Sequence, residues 1–248
     1  MSTCEFEPGN FRFIPAVFQY SGGVVALPGF EIRRVMFRTP VPLLQGFRAA
    51  EEVIRAAGRP LTSFCACELR SPEPFTETGF RIFNESYVSV LARWGLSDGA
   101  TNPVARSNVC PEIDPPSEVS MYAFCYTVKA EDAAPTFVIA GSGEAPEGHA
   151  NYRDHIVRRG DTSQDGLREK ARFVLGEMER RMGALGHVWS DTTAVQLYTI
   201  HNVLPVLFEE IVKRGAASHG LSWHYNRPPV VDLDYEMDCR GILHEIVC

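Results

Sequence analysis

The same order of predicted elements occurs twice along the chain, and this repeat constrains the fold more than any single motif does. The first half contains a helix over 41–57, a strand over 63–69, a helix over 80–95 and then two more strands. Hydrophobic residues at helical or strand spacing support each assignment. The second half repeats this order with a helix that begins after Asp161 or Thr162 and ends at Gly186, a strand over 192–200, a helix over 203–215, and strands over 221–228 and 241–248.

Identical residues bring the two halves into register. Gly58 matches Gly186 at an offset of 128, and Asn84 matches Asn202 at an offset of 118. The matching identities are few, but they agree with the repeated order of elements. We therefore predict a tandem duplication with a boundary near residue 130.

The ratio of strands to helices indicates the fold class. Each half has two predicted helices and four or five strands, with consecutive strands at both ends, which favours an α+β fold over a doubly wound parallel sheet. We expect repeats over 1–130 and 131–248, each a mixed sheet with two helices packed on one face. The strands carry apolar residues on both faces, so the uncovered faces are expected to pack against each other or against another chain.

Composition excludes several classes of protein. The 248 residues are 45% hydrophobic and 22% charged, as in ordinary globular proteins, and no apolar run reaches the roughly 20 residues of a membrane helix. The net charge of −7 comes with no basic block, which argues against nucleic-acid binding. The seven cysteines are odd in number and the N-terminus lacks the pattern of a signal peptide, so we expect a cytoplasmic protein.

The residue types also narrow the chemistry. Only three of the 24 basic residues are lysines, so a Schiff-base lysine has few candidates, whereas arginines suited to carboxylates are abundant. Cys65 and Cys67 face one side of a strand and are expected to pack in the core. Histidine spacings typical of metal sites are absent from the sequence, and we predict no metal.

Several segments together resemble the reactive-intermediate deaminase family, in a form with two fused copies. In the first half these are AAEEVIRAAG (49–58), FNESYVSVL (83–91) and PVARSNV (103–109). In the second half, FVIAGSGEAP (137–146) is similar to the family's strand that ends in Ser-Gly. The resemblance implies two chorismate-mutase-like domains and a homo-oligomer, with a trimer expected and active sites between subunits.

The resemblance also implies a set of site residues. Arg106 and Asn84 match the family's motifs and are the expected catalytic residues, with Asn108 as a substrate-binding candidate in the same segment as Arg106. Gly141, with Ala140 and Ser142, matches the Ser-Gly turn. We expect a composite site in which this turn, from one half, meets Arg106 and Asn84 of another half, within one chain or between chains.

The sequence departs from the family pattern at two places. At the offset of 118, Arg106 corresponds to His224, so the second half lacks the carboxylate-binding arginine and is expected to be degenerate. The acidic residue that the family carries on its last strand has no secure counterpart, and the nearest carboxylate is Glu245. His224 and Glu245 are therefore further candidates for contact with the substrate.

The family activity is the cofactor-free hydrolysis of enamines or imines to a ketone and ammonia. A guanidinium binds a carboxylate through two charge-assisted hydrogen bonds, so Arg106 is expected to hold an amino- or imino-acid substrate. The best candidate is 2-aminomuconate or a chlorinated derivative, a dicarboxylate from aromatic degradation, converted to its 2-oxo product. Alternatives are a non-catalytic small-carboxylate binding protein, and a lyase or isomerase on the mutase-like fold.

Two clusters of arginines suggest a second binding site for a carboxylate group of the substrate. They are either substrate-binding groups or solvated surface, and they comprise Arg33, Arg34, Arg38, Arg158 and Arg159.

Overall fold

The computed structural model describes residues 2–149 and 151–248. Its helices are α1 (Leu43–Ala56), α2 (Glu77–Arg93), α3 (Gln164–Leu185) and α4 (Leu204–Val206), and α4 continues as a π-helical segment over Leu207–Val212. Its strands are β1 (Cys4–Phe6), β2 (Phe11–Phe13), β3 (Gly23–Ala26), β4 (Phe30–Pro42), β5 (Phe64–Arg70), β6 (Ala105–Pro111), β7 (Ser120–Lys129), β8 (Phe137–Gly143), β9 (Ala194–Tyr198), β10 (Ser222–His224), β11 (Asn226–Arg227), β12 (Glu236–Gly241) and β13 (His244–Val247).

The strands form two mixed sheets that share one topology. Four strands of one sheet run in the order β6-β5-β7-β4, and four of the other run in the order β10-β9-β12-β8. In each sheet the first pair is parallel and the next two pairs are antiparallel. The predicted α+β fold built from a duplicated unit is therefore confirmed.

The helix ends give the register of the two units. Gly58 follows α1 and Gly186 follows α3, both with a positive φ that favours glycine, at 68° and 87°. A short 3-10 turn then precedes β5 at Leu61–Ser63 and β9 at Trp189–Asp191. Both features repeat at the predicted offset of 128.

Edge strands are exchanged between the two units. Strand β3 pairs with β8, so β1, β2 and β3 extend the sheet of the second half. In return, β13 pairs with β4 and β11 pairs with β6 in the sheet of the first half. The repeat boundary at residue 130 stays a prediction, and the exchange joins the two halves tightly.

The helices lie outside and the two sheets face each other. On α1, Phe47, Ala50 and Ile54 are buried at helical spacing against the first sheet. The side chains of α3 pack in the same way on the second sheet. A third apolar cluster contains residues of both sheets, including Val24 and Ile32, so the expected sheet-to-sheet packing occurs within one chain.

Three local predictions need correction. The N-cap of α3 is Ser163, whose Oγ accepts a hydrogen bond from the Gly166 backbone at 3.2 Å, rather than Asp161 or Thr162. The predicted helix over 203–215 is mostly π-helical. The chain end contains two strands, β12 and β13, where only one was predicted over 241–248.

Across the described residues, none of the helices has the length and apolar character that crossing a bilayer requires.

Candidate active site

A cavity lies at the junction of the two halves, with an empty volume of about 480 Å³ that includes its open mouth. Its walls come from β6, β8, β12 and α2 and include Arg106, Asn108, Gly141, Ser142, Glu236 and Phe80. The sequence assigned Arg106 and the Gly141 turn to different halves. The structure brings them together within a single chain.

Arg106 enters this cavity as a buried cation without a protein anion. Its side chain is 3% exposed, and Nη1 donates a 2.7 Å hydrogen bond to Oδ1 of Asn84. Its guanidinium carbon lies 4.7 Å from the centre of the Tyr87 ring. Among the described residues, no carboxylate forms an ion pair with it at 4.0 Å or less. A buried charge is costly unless it is paired, so the guanidinium is suited to bind an anionic ligand.

Asn84 holds the guanidinium of Arg106 in position through their hydrogen bond. It lies on α2, is almost fully buried, and lines an adjoining cavity that shares Phe80 and Tyr152 with the first one. Because its Oδ1 accepts from only one arginine nitrogen, the other donors of Arg106 stay free. Asn84 therefore orients Arg106, while Arg106 faces the ligand.

Glu236 supplies a carboxyl group in the same cavity. The residue is 4% exposed, and burial raises its pKa well above the ordinary value. The negative charges of Asp238 and Glu144 raise the pKa further, against a smaller opposing effect of Arg106. Burial therefore favours the protonated form of Glu236, and in that form it can act as a general acid.

Gly141 is required by the position of Glu236. A Cβ atom built on Gly141 would overlap Oε1 of Glu236 and would lie 3.2 Å from Cα of Ser107. Any larger side chain would push the carboxyl group or β6 away. Gly141 lies within β8 and not in the predicted turn, and because it has no side chain the acid can lie directly against this strand.

Two further polar residues, Asn108 and Ser142, line the cavity. Asn108 is buried, and its Oδ1 accepts a 2.9 Å hydrogen bond from Oγ of Ser71. Its Nδ2 has no hydrogen-bond partner in the part of the chain that the structure describes. The Oγ of Ser142 lies 3.4 Å from the Gly143 carbonyl, a weak contact that leaves the hydroxyl available.

Two tyrosines and a paired glutamate line the cavity on its remaining side. Burial raises the pKa of Tyr20 well above its ordinary value and also raises the pKa of Tyr152. Both hydroxyls are therefore neutral. Glu147 lies beside Tyr20 and is neutralised by Arg181, whose Nη2 is 2.8 Å from the carboxylate.

Ala140 and His224 were predicted to contact substrate, but they do not line this cavity. The Ala140 carbonyl accepts a 3.0 Å hydrogen bond from Arg181, so Ala140 supports the strand from behind. His224 lies 3.2 Å from Oε1 of Gln196 and stacks on the Tyr198 ring. Burial lowers the pKa of His224 to about 4, so it is neutral and structural near pH 7.

Glu245 also lies outside the cavity. It is on β13, where its carboxylate pairs with Arg34 at 2.9 Å and with Arg240 at 2.6 Å. An acid in this ion-pair network is not placed to protonate a ligand beside Arg106.

The arginine clusters proposed as a second carboxylate-binding site do not reach the cavity either. Arg33 pairs with Glu31 at 2.7 Å and Arg158 pairs with Asp161 at 2.8 Å. None of the five arginines contributes to the cavity wall. Of the two alternatives, contact with a ligand in this cavity is therefore not supported by their positions.

The pairing of neighbouring strands shows which residue of the second half corresponds to Arg106, and it differs from the predicted one. Ser107 on β6 and Ser222 on β10 lie opposite residues of β5 and β9 that are 128 positions apart. Arg106 therefore corresponds to Leu221 and not to His224. The conclusion that the second half lacks this arginine is unchanged.

Sequence reasoning missed Glu236, and the missed strand is the reason. The run Glu-Met-Asp-Cys over 236–239 alternates polar and apolar residues, which is a strand signal. A second repeat with the same topology also requires a strand there. Those two signals together would have identified a carboxylate on the last strand of the second unit.

The chain is similar in sequence to proteins of one enzyme family and in fold to a known structure. The family model described as 2-aminomuconate deaminase CnbZ matches residues 3–246. The 2-amino-5-chloromuconate deaminase of Comamonas testosteroni is 54% identical over 244 residues, which cover 98% of this chain and 97% of that protein. A chorismatase crystal structure is similar in fold, with a TM-score of 0.52 and 12% identity, over 89% of this chain and 77% of that one.

Proposed function

Because this chain belongs to the 2-aminomuconate deaminase family, we propose that it hydrolyses a 2-aminomuconate to the 2-oxo dicarboxylate and ammonia during aromatic degradation. The observation that carries the proposal is the buried guanidinium of Arg106, which has no ion-pair partner among the described residues, in a cavity that is also lined by the buried carboxyl group of Glu236. The relative named for a chlorinated substrate makes 2-amino-5-chloromuconate the second candidate.

Binding begins with the carboxylate next to the amino-bearing carbon. Arg106 receives it through charge-assisted hydrogen bonds, while Asn84 keeps the guanidinium in place. The carbon chain lies against an apolar wall of Pro229, Val230 and Leu233, which also suits a chlorine substituent. Fixing the substrate in one orientation lowers the entropic part of the barrier.

The first chemical step is proton transfer to carbon. Glu236 donates its proton to a carbon of the dienamine, the double bonds shift, and the C–N bond becomes a protonated imine. Glu236 is left as a carboxylate, which takes a proton back from water in the second step. No electrons leave the system, and the acid is regenerated within the cycle.

The second step is hydration and loss of ammonia. Water adds to the imine carbon, and one of its protons goes to the carboxylate of Glu236. The hydroxyl proton of the resulting carbinolamine then moves to the nitrogen, the C–N bond breaks, and the ketone and ammonia form. The neutral hydroxyls of Tyr20 and Tyr152 line the same cavity, and a hydroxyl oxygen that already has one partner can still accept a hydrogen bond from this water. Overall, one water is consumed and one ammonia is released for each 2-oxo product.

A trimer in the cytoplasm remains part of this proposal. Trp223 on β10 and Ile246 and Val247 on β13 are exposed apolar side chains that a neighbouring chain could cover. Light scattering at several protein concentrations tests the trimer, and a stable monomer contradicts it.

The decisive experiment is ammonia release from freshly generated 2-aminomuconate, with uncatalysed decay subtracted. Wild-type protein should release ammonia, and Arg106→Ala should lower kcat/KM by about 10- to 100-fold or more, since charged hydrogen bonds contribute roughly 1.5–3 kcal/mol. Full activity in Arg106→Ala would remove the mechanism. Binding without release by wild-type protein would favour a carboxylate-binding protein instead.

A further inference from the structure

We propose that Asn108 determines substrate specificity by binding the carboxylate at the far end of the substrate, opposite the carboxylate held by Arg106. The proposal rests on the proposed function and deepens it, because it identifies the substrate class as six-carbon dicarboxylates and gives their direction in the cavity.

The first observation is a buried donor without a partner. Asn108 is 3% exposed and lines the cavity, yet its Nδ2 has no hydrogen-bond partner among the described residues. Buried polar groups are nearly always satisfied, and one that is left open at a cavity wall indicates that a ligand or ordered water completes it.

The second observation is that the direction of this amide is fixed. Ser71, itself fully buried, donates from Oγ to Oδ1 of Asn108 at 2.9 Å. The Ser71 backbone is held in turn by a 2.9 Å hydrogen bond to the Val109 carbonyl. With its oxygen occupied by Ser71, the amide has only its N–H groups left to offer a ligand in the cavity that Asn108 lines, and these match a carboxylate oxygen. Ser71 is therefore a positioning residue.

The third observation is spacing. Arg106 and Asn108 alternate on β6, so their side chains leave the same face of the strand about 6.6 Å apart along it. The two carboxyl groups of a muconate are separated by a chain of five carbon–carbon bonds, a comparable length. One end at Arg106 therefore brings the other end to Asn108.

The position of the acid agrees with this direction. Ser107 lies between the two binding residues, and its Cα approaches the same face of Gly141 as the carboxyl of Glu236 does. A carbon chain stretched from Arg106 to Asn108 would thus pass the proton donor near its middle, where the diene carbons lie.

The test compares two ligands that share the same six-carbon diene, muconate with two carboxylates and 2,4-hexadienoate with one. Equilibrium binding is measured for the wild-type protein, Asn108→Leu and Asn102→Leu. Asn102 is the matched control because its Nδ2 is also buried and unpartnered, but it does not line the cavity.

We expect Asn108→Leu to lose about 10- to 100-fold in affinity for muconate, with little change for 2,4-hexadienoate. Ser71→Ala, a milder variant that keeps the amide, should lose part of the same preference, and Asn102→Leu should keep the wild-type ratio of the two affinities. An unchanged ratio in both Asn108→Leu and Ser71→Ala would overturn the proposal.

The outcome of this binding test can be told apart from the outcome of the ammonia-release test of the proposed function. If the wild-type protein releases ammonia and the affinity ratio is unchanged in both variants, the deaminase assignment stands and the role of Asn108 fails. If ammonia is not released but the ratio collapses in the variants, the dicarboxylate site stands and the reaction fails.

Discussion

The two units have the same strand order, but only one of two equivalent strand junctions carries groups that can do chemistry. At the first junction, Arg106 on β6 meets Glu236 on β12. By strand register, the corresponding residues of the other unit are Leu221 and Ser120. A site built between two halves needs only one complete set of side chains, and a buried unpaired charge is costly, so the second junction is free to be structural.

Beside the cavity, a second group of polar side chains forms a closed hydrogen-bond network around Asp238. Oδ2 of Asp238 accepts hydrogen bonds from Ser107 at 2.6 Å and Tyr198 at 2.9 Å, and Gln196 donates to its Oδ1 at 2.8 Å. Gln196 also contacts the neutral His224. These groups satisfy one another, whereas Arg106 lines the cavity and has no ion-pair partner among the described residues. A buried cation without an anion at a cavity wall, rather than polarity alone, distinguishes the candidate site from the structural network.

The strongest test of this difference is Glu236→Gln, which keeps the shape of the acid and removes its transferable proton. We expect kcat to fall by about 10²- to 10⁴-fold, the usual contribution of a general acid. Because the folded-state pKa is raised, the acid form is present below it, so the wild-type rate should fall as pH rises through that pKa. The variant should lose this alkaline decline.

Glu245→Gln is the matched control, since that carboxylate lies outside the cavity. Its kcat should stay near the wild-type value. A large loss with Glu245→Gln and little loss with Glu236→Gln would reverse the assignment of the acid.

Gly141→Ala should have the next largest effect, because the added methyl group overlaps Glu236. Overpacking of this kind costs about 1–3 kcal/mol, and displacement of the acid should lower kcat more than it raises KM. Thermal unfolding and steady-state kinetics measure the two effects. Gly183→Ala, with no atom within 4 Å of the new methyl group, is the control, and equal effects of both variants would contradict the close contact.

Asn84→Ala should lower kcat/KM by about tenfold, because Arg106 loses the partner that orients it. Asn84→Asp should be worse than Asn84→Ala, since a carboxylate there would compete with substrate for the guanidinium. Kinetics for both variants decide the point. An aspartate variant as active as the wild-type protein would show that Arg106 is not the anion site.

His224→Gln should have the smallest effect, with activity near pH 7 unchanged. The unfolded chain takes up a proton near the ordinary histidine pKa of 6.5, whereas the folded chain does so only near 4. The wild-type protein should therefore lose stability as pH falls from about 6.5 to 4, and the variant should lose less. Urea unfolding across this range measures the difference, and parallel pH profiles would contradict it.

Local motifs explain why part of the site could be predicted. Arg106 and Asn84 lie in short segments of the first half that resemble family motifs, and Gly141 lies in such a segment of the second half, so the sequence alone was enough to propose them as site residues. The alternating pattern over 236–239 could have placed Glu236 on a strand, but its role as an acid could not be predicted, because that role depends on a raised pKa that burial creates. Tyr152 belongs to a connection without regular structure, and only the folded chain brings it to the cavity.

The fold was easier to predict than the site for a related reason. Helical periodicity identified α1 and α3 to within a few residues, and the repeated order gave the duplication. The exchange of edge strands left no local signal, since pairing of β3 with β8 joins segments more than one hundred residues apart. Sequence pattern indicates what an element is, but not which partner it finds.

That exchange has a consequence for how the protein is made. On the ribosome, β3 emerges long before its partner β8, and at roughly 5–20 residues per second the delay lasts several seconds or more. Until then the first strands have no sheet to join, and their apolar side chains are open to chaperones or to wrong partners. Tyr20, which lines the cavity, directly precedes β3. The cavity wall is therefore complete only after synthesis has passed well into the second half of the chain.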